Sequence, residues 1–349
     1  MRYIAPFVIA GLALVASPAV AQDTGHRVVL RDTVRTSRLG AYQGRNTGPE
    51  QTERFSRKVK IGRDGRFSLA NVAGDIVVTG GPGDEVSIEA VKRTRGDKRE
   101  LARVQIAIDE HAGRVDVRTE GEQNRTDRNR TTDHVSVDYT VTVPASVAVD
   151  VHSVSGSVKV TGVHGALRAG TISGDVTTAD TPKLETARTV SGDVSITGAA
   201  SDGDLTAASV SGNVTARGLK ARGLDLGSVS GDIIVGDATC ERLGIKSVSG
   251  SVEYAGAIVK SGRYEINSHS GTVRLLLANP AGFELNANSF SGSIRSELPM
   301  TIGGDRRDAN TSKGRHDAAN DHSMRATFGD GSATLTVRTF SGDIIIAKR

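Results

Sequence analysis

The chain repeats one phrase, which reads S-V-S-G-S-V at residues 153–158, T-I-S-G-D-V at 171–176 and T-V-S-G-D-V at 189–194. From Gly156 to Gly292, successive copies are separated by 18 to 21 residues. A repeat of this length is typical of architectures in which each copy is one small unit that stacks on the next. The central glycines, including a looser copy near the beginning, are Gly74, Gly156, Gly174, Gly192, Gly212, Gly231, Gly250, Gly271, Gly292 and Gly342.

Side-chain character alternates on both sides of this glycine. Five residues before it the side chain is always apolar, and two residues after it the side chain is always Val or Ile. A period of two indicates β-strands with one buried face, and Ser-Gly supplies a bend between them. The Ser or Thr three residues before the glycine is expected to point inward and to hydrogen-bond to backbone or to a neighbouring hydroxyl.

The repeat therefore predicts an all-β fold, namely a β-solenoid of the parallel β-helix type with coils of about 18–21 residues. Because the two ends of a solenoid expose unpaired strand edges, we expect capping β segments at both ends. The alternative is an antiparallel sandwich in which the copies are hairpins. The usual two-residue hairpin signals are Asn-Gly and Asp-Gly, whereas this phrase has Ser-Gly, which favours the solenoid.

The first residues have the features of a secretory signal peptide. Arg2 precedes an apolar run from Ile4 to Val15, and Ala19-Val20-Ala21 forms a small-residue cleavage site, so residues 1–21 are expected to be removed. No later segment approaches the roughly 18 apolar residues of a membrane span. We therefore expect an exported chain without a transmembrane segment, located in the periplasm, at the cell surface or outside the cell.

The remainder divides by composition and periodicity. Residues 22–55 are basic and contain glycine, which predicts a flexible linker, and residues 56–150 predict an N-terminal β cap region. Residues 151–349 carry the solenoid repeats, with a polar insertion at 303–323. The last copy, Ala333 to Ala347, is expected to close the rod.

Composition excludes several functional classes. The net charge of +4 is too small to indicate a nucleic-acid partner, and Cys240 is the single cysteine, so no intramolecular disulfide can form. Cys240 is interpreted as a small side chain near a coil corner rather than a reactive thiol. We expect no catalytic residues and no organic cofactor.

An acidic residue follows the corner glycine in several copies. If the coils stack in register, these carboxylates lie about 4.8 Å apart and would repel each other, which a hard cation such as Ca²⁺ would relieve. The alternative is that each is a turn residue that bonds nearby backbone. The candidate metal ligands are Asp175, Asp193 and Asp232.

A polysaccharide-acting enzyme is the catalytic alternative, because other β-solenoids act on sugar chains. Arg168, Arg188, Lys246 and Arg338 could form an outward basic strip, but aromatic platforms for sugar rings are scarce because tryptophan is absent.

The segment V-T-V-P-A-S-V-A-V-D-V-H-S-V-S-G-S-V-K-V, residues 141–160, followed by the T-V-S-G-D-V units, resembles a bacterial adhesin-like family of β-strand-repeat domains. The resemblance covers roughly residues 56–349. It implies an exported or envelope-associated domain of unknown biochemical function and brings no catalytic residues.

These observations predict a non-enzymatic, adhesin-like or scaffolding protein of the cell envelope. Its partner would be an envelope component, either a polysaccharide or a protein. The alternative is an envelope-stress sensor that binds a ligand or a membrane-protein partner.

Overall fold

The computed structural model describes residues 49–121, 135–278, 280–302 and 323–349, which hold one short helix, α1 (Lys98–Leu101), and 25 strands. The strands, in chain order, are β1 (Gln51–Lys60), β2 (Arg66–Ala73), β3 (Ile76–Gly81), β4 (Glu85–Thr94), β5 (Val104–His111), β6 (Arg114–Gly121), β7 (Val135–Pro144), β8 (Ala148–Ser155), β9 (Val158–Thr161), β10 (Leu167–Ser173), β11 (Val176–Ala179), β12 (Leu184–Arg188), β13 (Val194–Thr197), β14 (Asp204–Ser211), β15 (Val214–Arg217), β16 (Lys220–Ser230), β17 (Ile233–Ser249), β18 (Val252–Ser270), β19 (Val273–Leu277), β20 (Phe283–Ser291), β21 (Ile294–Ser296), β22 (Thr301–Ile302), β23 (Ser323–Phe328), β24 (Ala333–Ser341) and β25 (Ile344–Lys348).

Strands that precede a corner glycine stack in parallel on one face of the rod, and strands that follow it stack in parallel on a second face. β10 pairs with β8 and β12, and this register places Thr171 opposite Ser153. β11 pairs with β9 and β13, which places Val176 opposite both Val158 and Val194. Equivalent positions therefore stack in register, and the predicted β-solenoid is confirmed. The hairpin sandwich is wrong, because the repeats pair in parallel.

The inward positions form a narrow aliphatic core. The Val or Ile two residues after the glycine is fully buried in most copies, as at Val158, Val176 and Val194, and the apolar residue five before it is also buried. Because the two faces approach closely, Val, Ile, Leu and Ala fill the interior. The largest buried rings, which include Tyr139 and Tyr254, are few.

The corner glycines have a backbone conformation that a side chain would strain. The φ angle is 139° at Gly174 and 142° at Gly192. A Cβ placed at Gly174 would collide with the carbonyl oxygen of Gly156, and one at Gly192 would collide with that of Gly174. Glycine is therefore needed at the corner for both its conformation and its lack of volume.

The hydroxyl row three residues before the glycine is buried, and most of its members bond backbone, as predicted. Thr171 Oγ1 donates to the carbonyl oxygen of Gly156 at 3.0 Å, and Thr189 Oγ1 donates to that of Gly174 at 2.8 Å. The acceptor is thus the corner carbonyl of the preceding coil. Equivalent bonds join Ser209 to Gly192, Ser228 to Gly212 and Ser289 to Gly342, whereas Ser153, Ser268 and Thr339 have no partner for the hydroxyl among the described residues.

Antiparallel strands cover the N-terminal end of the solenoid. β6 and β7 stack in parallel on β2 and β3, and form the last coil at this end. β5 then pairs antiparallel with β6, β4 with β7, and β1 with β4. β1 begins at Gln51, inside the range 22–55 that the sequence suggested as a linker.

The C-terminal copy does not close the rod, which corrects the sequence interpretation. β24 pairs in parallel with β18 on one side and with β20 on the other, and β25 lies in the same way between β19 and β21. The outermost coil is instead the copy at Gly292, and the antiparallel strands β23 and β22 cover it. A copy inserted between two others forms the same ladder as a terminal one, so the repeat pattern alone does not fix the order of the coils.

Several predictions lie outside the described residues. They are the signal peptide at 1–21, the linker up to residue 48, most of the charged stretch Glu120 to Asp133, and the insertion from 303 to 322. Within the residues that are described, no helix has the length and apolar character needed to cross a membrane.

The substitution Gly192→Ala is expected to lower the free energy of unfolding by at least about 2 kcal/mol, because the new Cβ meets both an unfavourable φ and the carbonyl below. Urea unfolding followed by circular dichroism measures this loss. The control is Gly203→Ala, whose Cβ would meet only Ser201 Oγ at 3.4 Å and should change stability by less than about 0.5 kcal/mol. Equal effects of the two substitutions would contradict the role of the corner.

Candidate interaction surface

The residue two before each corner glycine points outward, and these residues form a row along the rod that is apolar except at His269. It follows the inward hydroxyl, so strand alternation places it on the surface. Nine of these residues are Val, Ile or Phe, and they are 39% to 69% exposed. Among the described residues, Ile302 is the one other large apolar side chain with comparable exposure. We call this row the apolar stripe; in spatial order it contains Val72, Val154, Ile172, Val190, Val210, Val229, Val248, His269, Phe340 and Phe290.

The stripe ends in a stack of three rings. The ring centroids of His269 and Phe340 are 5.0 Å apart with planes at 10°, and those of Phe340 and Phe290 are 4.8 Å apart with planes at 4°. This spacing is the distance between neighbouring strands. The insertion of β24 between β18 and β20 creates the stack, because it places Phe340 between the other two rings.

Two charged rows of opposite sign flank the stripe. The residue directly after the glycine forms an acidic row on one side, and the residue two positions before the stripe forms a basic row on the other. Among the described residues, the acidic row contains no Lys, Arg or His, and the basic row contains no Asp or Glu. The acidic row contains Asp75, Asp175, Asp193, Asp232 and Asp343, and the basic row contains His152, Arg188, Lys246 and Arg338.

The outward basic strip predicted from the sequence is only partly present in the structure. Arg188, Lys246 and Arg338 share the basic row, whereas Arg168 lies one outward position further from the stripe and pairs with Glu185 at 2.8 Å. Neither Arg188 nor Lys246 has an ion-pair partner among the described residues.

The candidate metal ligands accept hydrogen bonds from the next coil. The Asp175 carboxylate accepts from the Asp193 amide at 2.8 Å, and the Asp193 carboxylate accepts from the Asn213 amide at 2.7 Å. Asp232 bonds the Ser251 amide at 2.8 Å, but Asn213 separates it from Asp193. The described residues contain no cluster of three or more His, Cys, Asp or Glu side chains suited to a metal ion. These geometries are those of the turn-residue alternative, and calcium binding stays a prediction.

At the end of the acidic row, Asp343 has two donors. The Ser293 amide donates to Asp343 Oδ1 at 2.8 Å and the Ser293 hydroxyl donates to the same atom at 2.9 Å. These hydrogen bonds lower the pKa of the Asp343 carboxyl below its ordinary value. The carboxylate is thus held ionised at neutral pH.

Cys240 is buried beside two tyrosines. Burial raises the pKa of its thiol to about 12, so the thiol is protonated and unreactive at neutral pH. The Tyr264 hydroxyl donates to the Cys240 carbonyl oxygen at 2.8 Å. An open concavity of about 630 Å³ lies over this cluster, and its lining includes Lys220, Arg222 and Lys260.

The apolar stripe was not identified in the sequence analysis, which among outward positions considered only the basic strip. The signal was present, because the variable position of the phrase is Val, Ile or Phe in nine of ten copies.

Comparisons with known proteins give a family and distant structural likenesses. A family model described as Toastrack DUF4097 matches residues 74–347. A crystal structure of a candidate adhesin from Bacteroides fragilis aligns at 12% identity with a TM-score of 0.41, covering 85% of this chain and 97% of that one. A candidate lipid-binding protein from Parabacteroides distasonis aligns at 13% identity with a TM-score of 0.38, covering 85% and 96%. A candidate cell adhesion protein from Clostridium sporogenes aligns at 8% identity with a TM-score of 0.23, covering 86% and 100%. No curated protein matches the sequence.

The substitution Asp193→Ala is expected to lower the melting temperature by a few degrees, because it removes the acceptor of the Asn213 amide. Asp193→Asn should retain most of the stability, since Asn213 itself bonds the Asp232 amide in this way. Differential scanning calorimetry of the wild type and the two variants measures these changes. For each protein, the melting temperature should be the same in calcium as in EDTA. A rise with calcium that is specific to the wild-type chain would instead establish an ion site.

Proposed function

The chain belongs to the Toastrack DUF4097 family, and from this premise we propose that it is an exported, non-enzymatic binding protein of the bacterial cell envelope that acts through its apolar stripe. Its role is adhesive or scaffolding. The observation that carries this proposal is the exposure of nine large apolar side chains along one edge of the solenoid, in a row that only His269 interrupts.

An exposed row of this extent favours an interaction surface. Soluble monomers rarely expose contiguous apolar patches of more than a few hundred Å², and larger patches usually mark binding sites. The stripe spans ten stacked coils, which corresponds to roughly 43 Å at the strand spacing. Its side chains are carried by paired strands, so little conformational entropy is lost when a partner binds.

The arrangement favours binding over catalysis. Each feature of the stripe recurs in coil after coil, whereas a catalytic site requires unlike groups brought to one place. The buried Cys240 thiol is held protonated, and the corner hydroxyls donate to backbone within the fold. The secretory signal predicted at residues 1–21 supports action outside the cytoplasm.

The proposal is tested with a triple variant, Val190→Ser, Val210→Ser and Val229→Ser. If each valine contributes about 1 kcal/mol when a partner buries it, the triple variant should bind purified cell envelopes on the order of 100-fold more weakly than the wild type. A sedimentation assay with increasing envelope concentration measures this change, and the melting temperature should stay within a few degrees because the three side chains face solvent.

The matched control is Ile302→Ser, which removes an exposed apolar side chain outside the stripe. It should bind envelopes like the wild type. If the triple variant also retained full binding, the stripe would not be the functional surface.

A further inference from the structure

We propose that the apolar stripe joins two copies of this chain side by side with their rods parallel, across a two-fold axis that runs along the rod. The inference rests on the proposed function, since it names the occupant of the same surface: a copy of this chain already held at the envelope receives a second copy through its stripe.

The first argument is the size of the stripe. Its nine apolar residues present on the order of 700 Å² of exposed surface, close to the roughly 800 Å² that each partner buries in a specific interface. The stripe advances by one strand spacing per coil because equivalent positions stack in register. A second copy of the stripe has the same spacing and can match it coil by coil.

The second argument is the width of the stripe. It is one residue wide, and the neighbouring residue before the glycine is an exposed serine in most copies, as at Ser173, Ser191 and Ser211. These small side chains allow two corners to approach closely. An isologous contact, in which each residue faces the same residue of the other copy, then brings valine against valine and Phe340 against the partner's Phe340.

The third argument is charge, and it selects the parallel orientation. With the two-fold axis along the rod, each coil faces the same coil of the partner, and the basic row of one copy faces the acidic row of the other, so that opposite charges meet in two coils. Arg188 then faces the partner's Asp193, and Arg338 faces the partner's Asp343. Opposite charges at the rim of an interface favour the matched orientation.

The antiparallel orientation is disfavoured by the same rows. A two-fold axis perpendicular to the rod would set the basic row against the basic row and the acidic row against the acidic row. With the two stripes fully overlapped, Arg188 would then face the partner's Lys246 and His152 would face the partner's Arg338, whereas each carboxylate of the acidic row would face a Ser, Thr or Asn. Like charges in juxtaposition oppose association.

Sugars and lipids fit the surface less well. A sugar ring stacks on an open aromatic face. In the ring stack, both faces of Phe340 are covered by His269 and Phe290 at 5.0 and 4.8 Å, so it presents its edge to a partner. An anionic membrane would bring its charged headgroups against the acidic row.

Orientation is tested by cysteine cross-linking of the full-length chain. Val190→Cys and Val248→Cys lie symmetrically about the middle of the stripe, about 14 Å apart across three coil spacings, so they would face each other only in an antiparallel dimer. In the parallel dimer each residue faces its own copy, so each variant alone should form a disulfide dimer, which requires Cα atoms within about 7 Å. A mixture of the two variants should give only the two self-linked products.

Two controls accompany this experiment. The wild-type chain should stay unlinked because Cys240 is buried, and Ile302→Cys should stay unlinked because it lies outside the stripe. If the single variants failed to link and the mixture did link, the rods would be antiparallel and the proposal would be overturned.

Association itself is measured by sedimentation equilibrium from roughly 1 to 100 μM protein. The wild type should dimerise, and Val210→Lys should be monomeric, since it places two like charges at the axis. Arg188→Gln should weaken the dimer roughly 3-fold, a loss reduced by salt, whereas Arg168→Gln should have no effect because Arg168 lies outside the basic row.

The failure of this inference differs from failure of the proposed function. A wild-type chain that is monomeric throughout the range, or a dimer unaffected by Val210→Lys, overturns the inference. If that monomer binds vesicles of phosphatidylethanolamine and phosphatidylglycerol through the stripe, a lipid is the occupant instead. Envelope binding that is lost in the triple serine variant would still support the proposed function in either case.

Discussion

The contact between one corner glycine and the corner carbonyl of the coil beside it is the constraint on which the whole solenoid depends. Gly174 lies directly against Gly156, and only a residue without a Cβ fits there. This close approach also brings the Thr171 hydroxyl to the Gly156 carbonyl oxygen, so the buried hydroxyl is satisfied by the same corner. A slip of one residue would place a side chain at the contact and turn the hydrophobic positions outward. The register of each coil that carries the phrase is therefore fixed at its corner.

The surface follows from that register. Because the hydroxyl of Thr189 points inward, strand alternation places Val190 outward. Stacking of the coils aligns Val190 with the equivalent residues of the other copies, and together they form the stripe. The acidic and basic rows arise in the same way on either side. In a repeat fold, each position of a short phrase thus becomes a row of similar side chains along the rod. Such rows suit an extended binding surface better than a pocket. This is why we assign the function to a surface.

The insertion of the last copy between two earlier ones has two consequences. It protects the C-terminal strands, because β24 and β25 are paired on both sides and the outer edge is covered by antiparallel strands. It also brings Phe340 between His269 and Phe290 and so creates the ring stack. Residues that are 50 and 71 positions apart in the sequence thereby become neighbours. The end of the stripe therefore has a different character from its aliphatic middle.

The sequence by itself determined the all-β solenoid, the corner at each glycine, the inward Val or Ile and the buried hydroxyl row, because these follow from local alternation and a repeat of 18 to 21 residues. It also contained the stripe, since Val190 and its equivalents occupy one position of the phrase. Only the tertiary structure decided the order of the coils, the ring stack and the use of Asp175 and Asp193 as backbone acceptors. The physical reason is that ladder hydrogen bonds are the same for any copy, so which copies become neighbours depends on long-range packing of the chain.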